Sequence, residues 1–373
     1  MKFLSRSADS SIDQPAWRLI VLSAAIVIGL HHGAVNAGDV VVELVANGVA
    51  TQGRCVAYSE TVGWLESQLG VYQRVDLAYV EGMRRLDGEY APASRQVHQS
   101  HLRDEFGRDG EVRTIGHYVV HGPKGRVKAY ADLLDEVYRS TWTYFSRRGF
   151  RLKQPEHQLD VVVFTSQADF LEYANSSTSK PVSLNLQGFY DRASNRIYVY
   201  DEVAQEEGLT PQARSNLIHE AVHQFCFNTG LLHRLADLPV WLVEGLALTL
   251  EHDGNRTGQG AREDRVAVDR LTALQQYRSQ NPKFGLAEFL VADKHLFDKS
   301  VLDAYAVAWG ATFYLMETRS ADLTKYLRLL QERDPLLAYT PGERLSDLQS
   351  CFGRDLRTLE IHWGRFSDDL QGR

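Results

Sequence analysis

Two histidines and a glutamate in the middle of the chain have the types and the spacing of a metal-binding catalytic site. They form the pentapeptide His219-Glu-Ala-Val-His223, in which Glu220 follows the first histidine. In a helix, residues i and i+4 lie on one face, so both imidazoles can reach the same metal ion. A catalytic zinc ion typically has three protein ligands and one water molecule. The pentapeptide therefore predicts a zinc site that needs one more ligand from elsewhere in the chain.

The third ligand is predicted at Glu244, on the next helix along the chain. Twenty residues separate Glu244 from His223, and the neighbours Val243 and Leu246 are apolar. An unpaired carboxylate in so apolar a helix is costly, and a zinc ion is a good partner for it. The alternative is a partly exposed glutamate near a helix start, where the helix dipole favours negative charge. Because the histidine pair precedes it, we favour Glu244 as the third metal ligand, and we expect one Zn²⁺ per chain.

Local signals predict the elements that must position these side chains. Thr210 is a typical N-cap and Pro211 suits the first helical position, so a helix is expected from there to about residue 228. Pro239 opens a second helix that runs to about residue 252. Upstream, a β-branched run at residues 159–164 predicts a buried strand, and residues 188–200 predict a hairpin. The metal helix is therefore expected directly after a pair of strands.

These residues resemble those of the gluzincin metallopeptidases, which include thermolysin-like and aminopeptidase-type enzymes. The shared pattern is His-Glu-x-x-His, followed some twenty residues later by a glutamate on a second helix. More closely, residues 217–224 and 239–247 resemble an uncharacterised group of exported, peptidase-MA-like bacterial proteins, many of them from planctomycetes. The likeness covers roughly residues 117–373. It implies a zinc metallopeptidase that hydrolyses peptide bonds with a zinc-activated water, and hence a peptide or protein substrate.

The resemblance also implies roles for two further acidic positions. Glu220 would be the general base, which takes a proton from the attacking water and delivers it to the leaving amine. Glu251 lies seven residues after Glu244, where aminopeptidase-type gluzincins have an acid that supports a zinc-binding histidine. A solvated carboxylate at the helix end is the alternative for Glu251. The thermolysin-like pattern has its acid four residues after the ligand, where this chain has Leu248.

Two other segments complete the expected site. Tyr305 lies on a long helix after the metal motif, where gluzincins often have a donor that stabilises the oxyanion. A core tyrosine on an aromatic helix face is the alternative. Gly188, Phe189 and Tyr190 would form the sheet edge that binds the substrate backbone by strand addition. A hairpin strand without a function is the alternative for that segment.

The N-terminal segment has the pattern of an export signal. Basic residues precede a 12-residue apolar run at residues 19–30, and the sequence Ala-Val-Asn-Ala at residues 34–37 offers a cleavage site after Ala37. The run is shorter than the roughly 20 residues of a membrane-spanning helix. We expect export to the periplasm or the extracellular space, without stable membrane insertion after cleavage. An uncleaved N-terminal anchor is the alternative, because Asp9 and Asp13 weaken the positive charge of the segment.

The whole chain predicts an α+β fold with a gluzincin-like mixed sheet and active-site helices. Residues 1–37 would be the signal peptide and residues 38–116 a β-rich N-terminal region. An α/β metallopeptidase-like catalytic domain is expected at residues 117–253, followed by a helical C-terminal subdomain at residues 254–373. Within these regions a helical character is indicated at residues 61–69, and polar connections are indicated at residues 95–113 and 253–262.

Charge and cysteine content restrict the partners. The net charge is −7 and no basic stripe is present, which argues against a nucleic-acid partner. Cys55, Cys226 and Cys351 follow no motif, so a single disulfide between two of them stays open. Cys226 shares the helical face of the two histidines, but it is nearly a full turn beyond His223 and is predicted to be a core residue.

Two other functions remain in competition with the peptidase. One is a catalytically inactive binding module that keeps the gluzincin fold and its metal, and the other is a zinc hydrolase that acts on a non-peptide amide. An intact Glu220 argues against the inactive module, because a decayed site would be free to lose it. Endo- and exopeptidase action, the role of residues 38–116 and the oligomeric state stay open from the sequence.

Overall fold

The structure is a computed structural model that describes residues 40–177, 181–202 and 209–370. The chain divides into two units, residues 1–91 and residues 92–373. The described residues contain two five-stranded sheets and a helical C-terminal region, which confirms the predicted α+β class. The predicted signal peptide lies outside the described residues. Among those residues, no helix is long and apolar enough to cross a membrane.

The first unit contains an antiparallel sheet in the strand order β4-β3-β2-β1-β5. Its strands are β1 (Val40–Ala46), β2 (Val49–Tyr58), β3 (Val62–Glu66), β4 (Tyr72–Asp76) and β5 (Val80–Glu89). A tight turn at Asn47 and Gly48 joins β1 to β2. Asn47 and Gly48 have φ angles of 51° and 73°, which these residue types tolerate best and which tight hairpins require.

The helical character indicated at residues 61–69 was wrong. This segment contains β3, because its side chains alternate between the two faces of the sheet and Leu65 is fully buried. Leu65 completes a small core with other apolar side chains of the sheet. They are Val42, Leu44, Cys55, Val75 and Val80.

The second unit is built on a mixed sheet in the order β6-β7-β8-β10-β9. Its strands are β6 (Glu111–Ile115), β7 (Tyr118–Gly122), β8 (Leu159–Phe164), β9 (Gly188–Asp191) and β10 (Arg196–Tyr200). The three central strands are parallel, and the edge strands β6 and β9 are antiparallel to their neighbours. The strand predicted at residues 159–164 is therefore β8, and the predicted hairpin is β9 with β10.

Residues 92–116 are more ordered than the polar connection that the sequence indicated. They contain helix α1 (Arg95–Phe106) and strand β6, which pairs with β7. The sequence of α1 has no apolar stripe, and only its His98 and Leu102 are buried. The helix is held instead by the buried contact between His98 Nδ1 and Asp160 Oδ1, 2.9 Å apart. This segment belongs to the unit that also contains residues 117–253 and 254–373.

Helices account for most of the rest of the second unit. They are α2 (Val127–Arg147), α3 (Gln167–Ser177), α4 (Pro211–Asn228), α5 (Val240–Glu251), α6 (Asp253–Thr257), α7 (Val268–Gln280), α8 (Leu286–Ala292), α9 (Lys294–Lys299), α10 (Val301–Thr318), α11 (Ser320–Glu332), α12 (Pro341–Phe352) and α13 (Leu356–Asp369). The connection indicated at residues 253–262 was partly wrong, because it begins with the short helix α6.

Two features fix helix α5 in the core. The backbone N–H of Trp241 in its first turn donates to the buried carboxylate of Asp293 at 2.7 Å, and Arg344 donates to the same carboxylate at 2.7 Å. Further along, Gly245 lets α5 approach α10 closely. A β-carbon at Gly245 would collide with the hydroxyl of Thr312 and lie 2.7 Å from the carbonyl oxygen of Ala308. Glycine is therefore required one residue after Glu244.

Candidate metal centre

Helix α4 presents the two histidines of the pentapeptide on one face. The Thr210 side chain accepts a hydrogen bond from the N–H of Ala213, and Pro211 occupies the first turn, as predicted. The opposite face of α4 is buried against the sheet. His219 and His223 are one turn apart, and their Nε2 atoms are separated by 3.0 Å. Their rings are nearly perpendicular, at 86°.

Helix α5 brings the predicted third ligand to the same point. Glu244 Oε2 lies 3.3 Å from His219 Nε2 and 3.7 Å from His223 Nε2. The three residues form a group whose potential ligand atoms all lie within 4.8 Å of one another. The structure thus brings together the three residues that the sequence predicted as ligands.

The donor atoms fit a tetrahedral zinc ion. Ligand atoms about 2.0–2.2 Å from such an ion are about 3.3 Å apart, and the three observed separations of 3.0, 3.3 and 3.7 Å are centred on that value. Glu244 Oε2 is buried and accepts no hydrogen bond from the described residues. A buried carboxylate oxygen without a donor is costly, and a cation would satisfy it. The chemistry of the site therefore suits zinc.

Glu251 contacts the ligand His219 from the other side of the imidazole ring. Its Oε1 lies 2.5 Å from His219 Nδ1. With its proton on Nδ1, His219 donates to this carboxylate and has a lone pair on Nε2, the nitrogen that faces Glu244 and His223. This is the contact that the aminopeptidase-type arrangement implies. The carboxylate of Glu251 therefore contacts a histidine side chain and is not simply solvated at the end of the helix.

Electrostatics at the site favour positive charge. Burial alone would lower the pKa of His219, but its contacts with Glu244 and Glu251 raise that pKa well above its ordinary value. Burial alone would raise the pKa of Glu244, but His223 and His219 hold it well below the usual range of a carboxyl. The carboxylate of Glu244 therefore stays ionised beside the two imidazoles.

Glu220 is oriented towards strand β9. Its Oε2 accepts a hydrogen bond of 2.8 Å from the backbone N–H of Tyr190. Gly188 lies close to Glu220, but the contact that requires glycine there is with β10, since a β-carbon at Gly188 would lie 2.8 Å from Val199 Cγ1 and a tolerable 3.5 Å from Glu220 Cγ. Burial raises the pKa of Glu220 above its ordinary value, although His219 and His223 oppose the rise. A raised pKa suits a carboxylate that must hold a proton transiently.

Strand β9 brings its backbone, rather than its side chains, to the site. It is an edge strand that pairs with β10 on one side. The ring of Phe189 lies in an aromatic cluster on the other face of the sheet, 5.0 Å from the ring of Tyr198. The ring of Tyr190 stacks on Phe227, with centroids 5.7 Å apart. Of the three predicted substrate-binding residues, Gly188 and Tyr190 thus contribute main-chain groups beside Glu220.

Tyr305 lies in the first turns of α10, partly buried. Burial raises the pKa of its hydroxyl, and the nearby charges of Glu244 and Glu220 raise it further. Tyr305 therefore stays a neutral donor near these carboxylates. Its ring packs edge-on against Phe297, with centroids 5.9 Å apart, so Tyr305 also packs against the core.

Sequence reasoning missed a set of amides that join the hairpin to the metal helix. Gln224 follows the second histidine, is fully buried, and donates to the carbonyl oxygen of Asn195 at 2.8 Å. Asn195 and Asn228 exchange two side-chain hydrogen bonds, of 2.8 Å and 2.7 Å. Tyr190 OH also donates to Asn195 Oδ1 at 2.7 Å. A polar residue on the buried side of α4 was the signal that could have revealed this network.

The three cysteines are thiols inside the protein. Cys55, Cys226 and Cys351 are all buried, and none forms a disulfide in the structure. Burial raises the pKa of the Cys226 thiol. Cys226 packs in the main core and is not in the candidate ligand group, which confirms that it is a core residue.

A separate groove lies away from this site. It has a volume of about 880 Å³ and runs along α7 and α13, where its lining includes Gln275, Phe284 and Trp363. None of the predicted site residues lines it.

Comparison with known proteins found one family model that is similar to part of the chain. Residues 214–337 match DUF1570, a family described as proteins of unknown function. The matched segment includes His219, Glu220, His223, Glu244, Glu251 and Tyr305, and it ends within the helical region. It does not include β9. No curated protein matches the chain.

Proposed function

We propose that this protein is an exported, zinc-dependent metallopeptidase. The observation that carries the proposal is the convergence of His219, His223 and Glu244, with an unsatisfied buried oxygen on Glu244 and the Glu220 carboxylate beside them. These residues would hold one Zn²⁺. When bound, zinc supplies a water acidic enough to act as a nucleophile near neutral pH and a Lewis acid for the scissile carbonyl.

The residues of the chain then have distinct tasks. Glu220 accepts the proton of the attacking water and passes it to the leaving amine. Tyr305 donates a hydrogen bond to the carbonyl oxygen as negative charge develops there. Glu251 fixes the orientation and tautomer of His219. The outer side of β9, which pairs only with β10 among the described residues, aligns an extended peptide by main-chain hydrogen bonds next to Glu220.

A peptide-library digest tests this proposal. The purified protein should cleave members of a diverse library, a chelator should abolish the cleavage, and added zinc should restore it. Mass spectrometry of the products would also distinguish endo- from exopeptidase action. A protein that binds zinc yet leaves every peptide intact would instead be an inactive binding module, or an enzyme for non-peptide amides.

Export is the second part of the proposal and rests on the sequence of residues 1–37. N-terminal sequencing of protein recovered from its host should find a chain that begins at Gly38. An intact Met1 on a membrane-bound form would instead favour the uncleaved anchor.

Tyr305→Phe should lower kcat by about 100-fold while the zinc content stays unchanged, because a donor to the oxyanion acts mainly in the transition state. Steady-state kinetics with a peptide from the digest would measure the effect. Tyr277→Phe, on a different helix, is a matched control that should retain activity. Wild-type turnover in Tyr305→Phe would assign Tyr305 to the core alone.

A further inference from the structure

Arg270 lies at the rim of the candidate site. It is the third residue of α7, and its side chain is 31% exposed. One guanidinium nitrogen is 3.9 Å from Glu251 Oε2, and the guanidinium carbon is 5.7 Å from the ring centroid of Tyr305. Arg270 thus lies beside the residue that orients His219 and beside the proposed oxyanion donor.

The guanidinium of Arg270 makes no hydrogen bond with the described residues. Its distance to Glu251 is longer than a hydrogen bond, and Glu251 already contacts His219 through its other oxygen. Arg265, five residues earlier, shows what an arginine with a structural partner does in this protein. It donates two hydrogen bonds of 2.8 Å to the carboxylate of Glu317. Arg270 has the same five donors and has not used them.

The charges around Arg270 indicate which kind of substrate group it could bind. Glu220, Glu244 and Glu251 contribute three carboxylates to the site, so an anionic part of a substrate would be repelled without a local cation. A planar guanidinium that is partly exposed prefers a carboxylate, because two parallel N–H groups match its two oxygens. The aromatic face of Tyr305 holds the guanidinium without consuming its donors.

We propose that Arg270 is a specificity-determining residue that binds a carboxylate of the peptide substrate close to the scissile bond. The substrate class is thus a peptide that presents either an acidic side chain or its free C-terminal carboxylate at this position. The inference rests on the proposed peptidase function, which it refines.

Peptide binding to the zinc-loaded Glu220→Gln variant tests the proposal without turnover. Four fluorescent pools of short mixed-sequence peptides would combine a central Glu or Gln with a C-terminal acid or amide. Fluorescence anisotropy should find about 10- to 100-fold tighter binding for the pools that contain the carboxylate bound by Arg270 than for the matched pools that lack it. The Glu/Gln comparison and the acid/amide comparison identify which carboxylate it is.

The double variant Glu220→Gln/Arg270→Gln should lose this preference, and Arg270→Lys in place of Arg270→Gln should restore only part of it. Arg278→Gln, which removes a charge from the same helix where Arg278 contacts Asp368, is the control and should keep the full preference. Equal binding of all pools, or a preference that survives Arg270→Gln, would overturn the proposal. So would loss of zinc in Arg270→Gln, since Arg270 would then act through Glu251.

The peptide-library digest of the wild type, read together with this binding measurement, separates the two proposals. Cleavage of neutral peptides by the wild type, without any carboxylate preference, would leave the peptidase function standing and remove the role of Arg270. A carboxylate preference in a wild-type protein that cleaves no peptide would support the role of Arg270 in binding and remove the peptidase function.

Discussion

Glu220→Gln should reduce peptide hydrolysis by about 1,000-fold while the protein keeps its fold and its zinc. The amide preserves the shape of the side chain, but it cannot accept a proton from the attacking water, and general-base catalysis contributes about 10²- to 10⁴-fold. Because Glu220 contacts Tyr190 and is not one of the three candidate ligands, its carboxylate can be removed without dismantling the metal site. Steady-state kinetics and zinc analysis on the same preparation measure both quantities.

Glu288→Gln is the matched control for this substitution. Glu288 is exposed on α8 and lies outside the candidate site, so this variant should have wild-type kinetics. Equal activity of Glu220→Gln and the wild type would exclude Glu220 as the general base. If both proteins are inactive on every peptide and both bind zinc, the inactive binding module becomes the better account.

His223→Ala should lose nearly all bound zinc and, with it, the stabilisation that zinc gives to the folded protein. Two of the three ligands remain, but a zinc site of this kind needs all three. At a zinc concentration 100 times the dissociation constant, binding stabilises a folded protein by about 2.7 kcal/mol. Added zinc should therefore raise the Tm of the wild type and leave the Tm of His223→Ala unchanged, as thermal unfolding would measure.

His295→Ala is the control for the loss of a histidine. His295 is exposed on α9 and is not a member of the candidate ligand group. This variant should bind zinc and respond to it as the wild type does. An undiminished zinc response in His223→Ala would mean that the metal binds elsewhere.

The sequence predicted the centre of the site because its signals are local. The two histidines are related by one helical turn, and Glu244 is conspicuous as a charge inside an apolar helix. Thr210 and Pro211 likewise indicate the start of α4, because helix capping depends on residues close together in sequence. Contacts of this kind depend on spacing along one or two helices, and the structure has them as expected.

The surroundings of the site depend on contacts between distant parts of the chain. Arg270 meets Glu251 and Tyr305 from a different helix, so nothing in its own neighbourhood along the sequence indicates that position. Asn195 lies within the predicted hairpin, but the hairpin pattern does not indicate that its side chain joins the hairpin to α4 through Asn228. Pairings between segments that are far apart in sequence are not encoded in local periodicity.

Some helices and helix boundaries were not predicted from the sequence, each for a different physical reason. Helix α1 was missed because only two of its residues are buried, which leaves no apolar stripe to detect. The boundary between α8 and α9 lies at Asp293, whose side chain accepts hydrogen bonds from the backbone N–H groups of Lys294 and Trp241. Helix α12 begins with a capping box formed by Thr340 and Glu343, which is a local signal that the sequence does contain.

Elemental analysis of the purified wild-type protein is the most direct test of the central claim. We expect about one zinc per chain, retained through gel filtration and through the Glu220→Gln substitution, and absent from His223→Ala. A wild-type protein without stoichiometric zinc, after reconstitution with excess zinc, would contradict the account. The convergence of His219, His223 and Glu244 would then have a purely structural explanation.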